Sequence, residues 1–201
     1  TVIDDFNSYV NTSYIQAQNT SWSRSGSAIT DGIYSIAGGV TGRGANFSMG
    51  WTLGNVARVK YDFTSPQAYS VGAVFSVDLK TSAAITGTSV VGIITTSGGT
   101  TWQTSVGQTV SNTSYATYSF NFTDTNTTRT AGSTSLVASL MDVKSFTVQF
   151  SNALGASSQP ISFDDLSVTT SSIPEPSVLV LAMGGIAGVA AFLGRRRRGP
   201  C

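Results

Sequence analysis

Histidine is absent from the 201-residue chain, the one cysteine is Cys201, and the one glutamate is Glu175. Residues 1 to 172 therefore hold no Ser-His-Asp or Cys-His nucleophilic arrangement and no His-based zinc site. They hold no disulfide either, so packing or a metal must stabilise them. Glycoside hydrolysis would fall to aspartates alone, without the glutamate proton donor common in such sites. Neighbours such as Asp164 and Asp165 on a regular strand face opposite ways, so they cannot make a facing carboxyl pair. No catalytic residue is assigned. Charge is scarce as well: charged residues make up 10% of the chain. Before position 173 seven basic residues stand against nine aspartates, a net charge near −2. With no basic stripe there is no electrostatic footprint for nucleic acid.

Hydroxyls are abundant, with Ser and Thr at 57 of 201 positions. Such a weakly charged surface suits an extracellular domain in contact with carbohydrate or with other protein surfaces. The apolar residues of this region recur at a period of two. Val59, Tyr61 and Phe63 alternate with Arg58, Lys60 and Asp62, and Val71 to Leu79 repeat the pattern. Tyr118, Phe120 and Phe122 do so again, as do Phe146, Val148 and Phe150. Val90 to Thr96 reads as a strand buried on both faces, returning through Ser97-Gly98-Gly99 to Trp102 as a hairpin. Pro66 marks a turn, Asp124 to Ser135 a Thr-rich loop, and Leu136 to Met141 a single helical turn. Eight to eleven short strands predict an all-β chain, an antiparallel β-sandwich of jelly-roll type over residues 1–170.

In the last strand the period breaks. Ile161 and Phe163 share a face, and Leu166 and Val168 keep it only with one extra residue at Asp164-Asp165, the mark of a β-bulge. The first strand carries the same doublet, Asp4-Asp5, before Phe6. If the first and last strands lie side by side, the two acidic pairs converge. Two doublets of this size are also what solvated strand ends carry.

The C-terminal stretch has a different character. Residues 171–176 form a linker ending in Pro174-Glu175-Pro176, and the prolines force a helix to begin after them. Ser177 to Gly194 is uncharged over eighteen residues, and at about 1.5 Å per residue it reaches roughly 27 Å, which just spans a bilayer core. Arg195, Arg196, Arg197 and Arg198 follow, and positive-inside bias holds such a block in the cytoplasm. The reading is one transmembrane helix over 177–194, a basic cytoplasmic tail over 195–201, and residues 1–170 outside. The chain starts at Thr1 without an apolar leader, so export implies a signal peptide already removed.

Pro-Glu-Pro, a short apolar helix and an arginine cluster, in that order over Ile173 to Arg198, resemble the PEP-CTERM sorting signal of exported bacterial proteins. Ile173 stands where Val is common, and Gly199-Pro200-Cys201 trails the arginines. The resemblance implies that an exosortase, a membrane enzyme with a cysteine nucleophile, recognises Pro174-Glu175-Pro176 and removes the helix. It implies an inner-membrane intermediate and then the cell surface or an exopolysaccharide matrix. A second resemblance rests on Ile3-Asp4-Asp5-Phe6 and Ser162-Phe163-Asp164-Asp165-Leu166, which are similar to the galactose-binding-like jelly rolls of carbohydrate-binding modules. It implies a structural calcium held near Asp4, Asp5, Asp164 and Asp165 by side chains and backbone carbonyls, toward the six to eight oxygens that calcium takes.

Three functions stay open on these residues. The first is adhesion or self-assembly in a surface matrix. The second is carbohydrate binding, for which Trp22, Trp51, Trp102, Tyr14, Tyr34, Tyr69 and Tyr115 offer ring faces, although tryptophans also fill sandwich cores. The third is glycoside hydrolysis. Trp51 is assigned to the core, and Trp22, in a polar stretch, fits exposure as well as burial. Six Asn-x-Ser/Thr sequences, at Asn11, Asn19, Asn46, Asn112, Asn121 and Asn126, are glycosylation acceptors by pattern alone.

Overall fold

The computed structural model describes residues 1–10, 14–28, 33–40, 42–49, 56–81, 88–152 and 159–170. All belong to one unit, Thr1–Ser171. Trp51, the Pro-Glu-Pro motif, the expected span Ser177 to Gly194 and the four arginines lie outside the described residues. Among the described residues no helix is long and apolar enough to cross a membrane.

Strands dominate. In chain order they are β1 (Val2–Asp4), β2 (Trp22–Ser25), β3 (Tyr34–Ala37), β4 (Arg43–Met49), β5 (Val56–Gln67), β6 (Ala73–Thr81), β7 (Thr88–Thr96), β8 (Thr101–Thr104), β9 (Gln108–Thr109), β10 (Ala116–Phe122), β11 (Thr127–Ala131), β12 (Val143–Asn152) and β13 (Gln159–Thr169). Two short helices interrupt them, α1 (Ile15–Gln18) and α2 (Leu136–Leu140). One sheet runs β10-β6-β13-β4-β3 with β1 beside β13; the other runs β11-β8-β7-β12-β5-β2 with β9 beside β7. Every pairing recorded is antiparallel.

The sheets face each other because each long strand buries alternate residues. In β6 and β7 burial alternates without a break. Phe75, Phe120, Phe122, Phe146 and Phe150 are buried between the sheets, and each such ring contributes roughly 1.5–3 kcal/mol by leaving water. Phe75 and Phe146 stack with centroids 4.5 Å apart across the sandwich. Gly92 makes room for this packing, since a Cβ there would meet the Phe120 ring at 2.6 Å. α2 begins at Ser135, whose hydroxyl caps Ala138 N, and it closes one end with Leu136 and Leu140.

Three expectations change. β7 is not buried on both faces: Val90 and Ile94 are inside, whereas Val91 and Ile93 are half-exposed. The Thr-rich segment after Asp124 contains β11, which pairs with β8, because its threonines suit a pleated edge. Pro66 does not turn the chain. It sits in β5 where the ladder to β12 is irregular between Asp62 and Gln67, so its missing N–H costs no regular pair. The turn comes at Ser70 to Ala73, with Gly72 at φ +86°.

Candidate functional site

β1 pairs with β13 through Val2 with Ser167 and Asp4 with Leu166, so the first and last strands do lie side by side. The bulge is present too. Asp164 pairs with Asp78 of β6 and Ser167 pairs with Ser76, which leaves one residue extra on β13. Asp165 takes φ +47°, and Leu166 and Val168 thereby return to the core.

The doublets do not bring four carboxylates to one point. Asp4 turns inward and accepts from Phe6 N at 2.9 Å, from Trp22 Nε1 at 2.8 Å and from the Tyr9 hydroxyl. Asn19 Nδ2 donates to the same Tyr9 oxygen at 2.8 Å. Burial, and then the Asp4 hydrogen bond, push the Tyr9 phenol far above its ordinary value. Trp22 is buried, against Phe6 at 5.2 Å and Phe163 at 5.6 Å. Asp4 is thus the acceptor that holds the N-terminal segment on the sandwich.

Asp164 is fully buried, accepting from Val40 N at 2.6 Å and from Asp165 N at 2.9 Å. Burial raises its carboxyl to about 6, and Asp165 and Asp78 add like-charge repulsion. Gly39 lets the covering loop approach, since a Cβ there would meet Asp164 Oδ2 at 2.3 Å. Asp165 is raised as well, by burial and then by Asp78 and Asp5. Asp5 is exposed and accepts from Asn7 N at 3.1 Å. Asp78, which sequence reasoning left out, accepts from Thr117 Oγ1 at 2.5 Å. Its only signal was its place on the wet face of β6; which strand would lie opposite was not readable. Among the described residues no three acidic side chains form a metal-binding group. Asp5, Asp78, Asp164 and Asp165 repel one another around the bulge, while Asp4 is bonded to the N-terminal segment.

The aromatic residues are mostly spent on packing. Tyr118 is buried. Trp102 packs against the core, donates Nε1 to Ser139 Oγ at 3.0 Å, and carries the Arg129 guanidinium at 5.7 Å. Tyr115 lies under Lys80 Nζ at 4.3 Å, and burial, then Asp164, raise its phenol to about 12. The outer face of the seven-stranded sheet has rows of hydroxyls and amides, among them Arg58 Nε on Gln149 Oε1 at 2.7 Å and the Ser89–Ser151 hydroxyl pair at 2.8 Å.

One cleft combines rings with polar groups. It has a volume of about 420 Å³ and lies at the end of the sandwich where β1, β5 and β13 meet. Tyr61, Phe63 and Tyr69 form its floor, the first two edge to face at 5.3 Å and the last two tilted at 6.3 Å. Thr64, Ser65 and Gln67 form the rim. The rim is held in place: Lys144 Nζ donates to Phe63 O at 2.5 Å and Thr64 O at 3.3 Å, and Gln67 Nε2 to Ser65 O at 2.8 Å. Burial raises the Tyr69 phenol to about 12, so it stays a neutral hydroxyl. Ring edges below and hydroxyl and amide groups above are the chemistry of a site for a neutral, hydroxylated ligand.

No family model matches the sequence, and no curated protein matches it. Solved structures do share the fold. A family 11 carbohydrate-binding module of a cellulosomal cellulase of Clostridium thermocellum is 17% identical, with a TM-score of 0.54 over 85% of this chain and 94% of that one. The non-crystalline-cellulose-specific carbohydrate-binding module CBM28 is 10% identical, with a TM-score of 0.57 over 84% of this chain and 98% of that one. An exo-β-agarase is 9% identical with a TM-score of 0.56; the match covers 85% of this chain but 24% of that enzyme. At these identities the likeness is one of fold: the described residues form a two-sheet β-sandwich like that of carbohydrate-binding modules.

Proposed function

We propose that the chain is a non-catalytic carbohydrate-binding module of an exported protein, and that the cleft over Tyr61, Phe63 and Tyr69 holds the glycan. The cleft carries the reading, because it joins an aromatic floor to a fixed hydroxyl and amide rim in a volume suited to one or two sugar rings. The similar modules support it; one family 11 module was solved with a β-1,3-1,4-mixed-linked tetrasaccharide. The test is affinity electrophoresis and calorimetry of the full chain against mixed-linked glucan, amorphous cellulose and agarose. Gln67→Ala, on the rim, weakens binding about tenfold, the worth of one or two hydrogen bonds. Gln149→Ala, on the outer face of the seven-stranded sheet, leaves it unchanged. The opposite pattern would move the site to that face, and no binding to any glycan would sink the reading.

Delivery by the PEP-CTERM route, with an exosortase as partner and the cell surface or matrix as destination, is proposed from residues 173–198 alone. The intact mass of the protein from its native host checks it: loss of everything after about Pro176, dependent on the exosortase, is expected. An intact tail would instead make the protein a single-span membrane protein.

Calcium is proposed beside the bulge, with Asp5, Asp164 and Asp165 as the acidic oxygens and Asp78 next to them. Mutual repulsion among these carboxyls supports it, since the one ion pair recorded among the described residues, Lys60–Asp62, does not neutralise them. Calcium is expected to raise the melting temperature, and Asp165→Ala to abolish that rise.

A further inference from the structure

Among the described residues most edge strands are short or charged: β1, β3 and β9 have three, four and two residues, β2 carries Arg24 and β11 carries Arg129. β10 is different. It runs seven residues, Ala116-Thr-Tyr-Ser-Phe-Asn-Phe122, with no charge and no proline, the devices that usually blunt an edge. Its even-numbered residues turn their backbone groups to β6, as the Gly72 N–H on Phe122 O at 2.9 Å shows. Thr117, Ser119 and Asn121 then turn theirs outward, and all three side chains are exposed. Among the described residues only Ser119 O of these outward groups has a recorded partner, Gln108 Nε2 at 2.8 Å. Beside the edge runs a groove of about 250 Å³, bordered by Gln108 and by Val106, an apolar side chain 75% exposed.

We propose that β10 is a docking edge for a second copy of this chain, joined antiparallel about a two-fold axis at Ser119. The strand is self-complementary in that register. Ser119 faces Ser119 of the second copy and Thr117 faces its Asn121, each pair exchanging two backbone hydrogen bonds, with small polar side chains opposed and no like charges brought together. A two-fold contact of this kind closes on itself and gives a dimer. Gln108 guards the edge, since its amide must leave Ser119 O before the strands join.

Sedimentation of the full chain in mild detergent tests this. Wild type is expected to dimerise with rising concentration. Ser119→Lys places two ammonium groups face to face at the axis and makes the chain monomeric, with its circular dichroism unchanged. Ser151→Lys, an equally small change on the opposite sheet, leaves the dimer intact. Gln108→Ala removes the guard from both copies and tightens the dimer by roughly tenfold to a hundredfold, the worth of two neutral hydrogen bonds. A wild type that stays monomeric at the highest concentration, or a dimer that survives Ser119→Lys, overturns the proposal.

Discussion

Asp4-Asp5 and Asp164-Asp165 are the same dipeptide on neighbouring strands, yet their inner members are held by different donors. Asp4 accepts from an indole, a phenol and one backbone amide, and each of these donors is fixed by the ring cluster of Phe6, Tyr9 and Trp22. Asp164 accepts from two backbone amides, one of them its own neighbour's, and faces two other carboxyls. The comparison teaches that an inward carboxylate is structural or responsive according to its surroundings. Side-chain donors anchored in a ring cluster make it a fastener. Full burial and like charges, which outweigh two backbone amides, leave it poised to take a proton.

The comparison breaks most visibly at Asp4. Asp4→Ala removes the acceptor of Trp22 Nε1, the Tyr9 hydroxyl and Phe6 N together, which should cost about 3 kcal/mol in urea unfolding and shift Trp22 fluorescence to the red. Asp4→Asn keeps one acceptor oxygen and should lose less. A cost under about 1 kcal/mol for the alanine variant would mean that the aromatic packing alone holds the N-terminal segment.

Asp164 should instead show itself through pH. Its carboxyl titrates near 6 in the folded chain, above its ordinary value of 3.8. The folded state therefore binds the proton more tightly than the unfolded one. The stability this contributes is complete below about pH 4 and is lost as pH rises through about 6. The melting temperature of wild type should fall by a few degrees between pH 5 and pH 7 from this group, and Asp164→Asn should flatten that slope. An unchanged slope in the variant would assign the pH response to other carboxyls.

Both halves of this contrast were legible only in part. Alternation in β5, β6, β10 and β12 was plain because each buries one face, and the break at Asp164-Asp165 gave the bulge because Leu166 and Val168 must stay inside. That the first and last strands pair follows from jelly-roll connectivity. The direction of Asp4 was not legible, because a three-residue strand has too short a period to reveal its faces, and the left-handed φ of +58° at Phe6 that folds the segment over has no sequence mark. Trp22 was ambiguous because the groups that hold it, Asp4 and the Phe6 and Phe163 rings, are far from it in sequence. The cleft was invisible: Tyr61 and Phe63 were assigned to a core face, as most of such residues are, and nothing in the string shows that they and the buried Tyr69 line one cleft with Thr64, Ser65 and Gln67.

Asp165 offers the smallest and sharpest break. As a non-glycine residue at φ +47° it bears a strain that glycine would not, and it stands among Asp5, Asp78 and Asp164. In a chelator, Asp165→Gly should therefore stabilise the chain by about 0.5–1 kcal/mol, through relief of the left-handed backbone and of like-charge repulsion. With calcium added the order should reverse, because wild type gains a ligand that the variant has lost. A variant more stable than wild type in both conditions would mean that the acidic residue at the bulge serves no cation, and that the doublet in β13 is strain without a function.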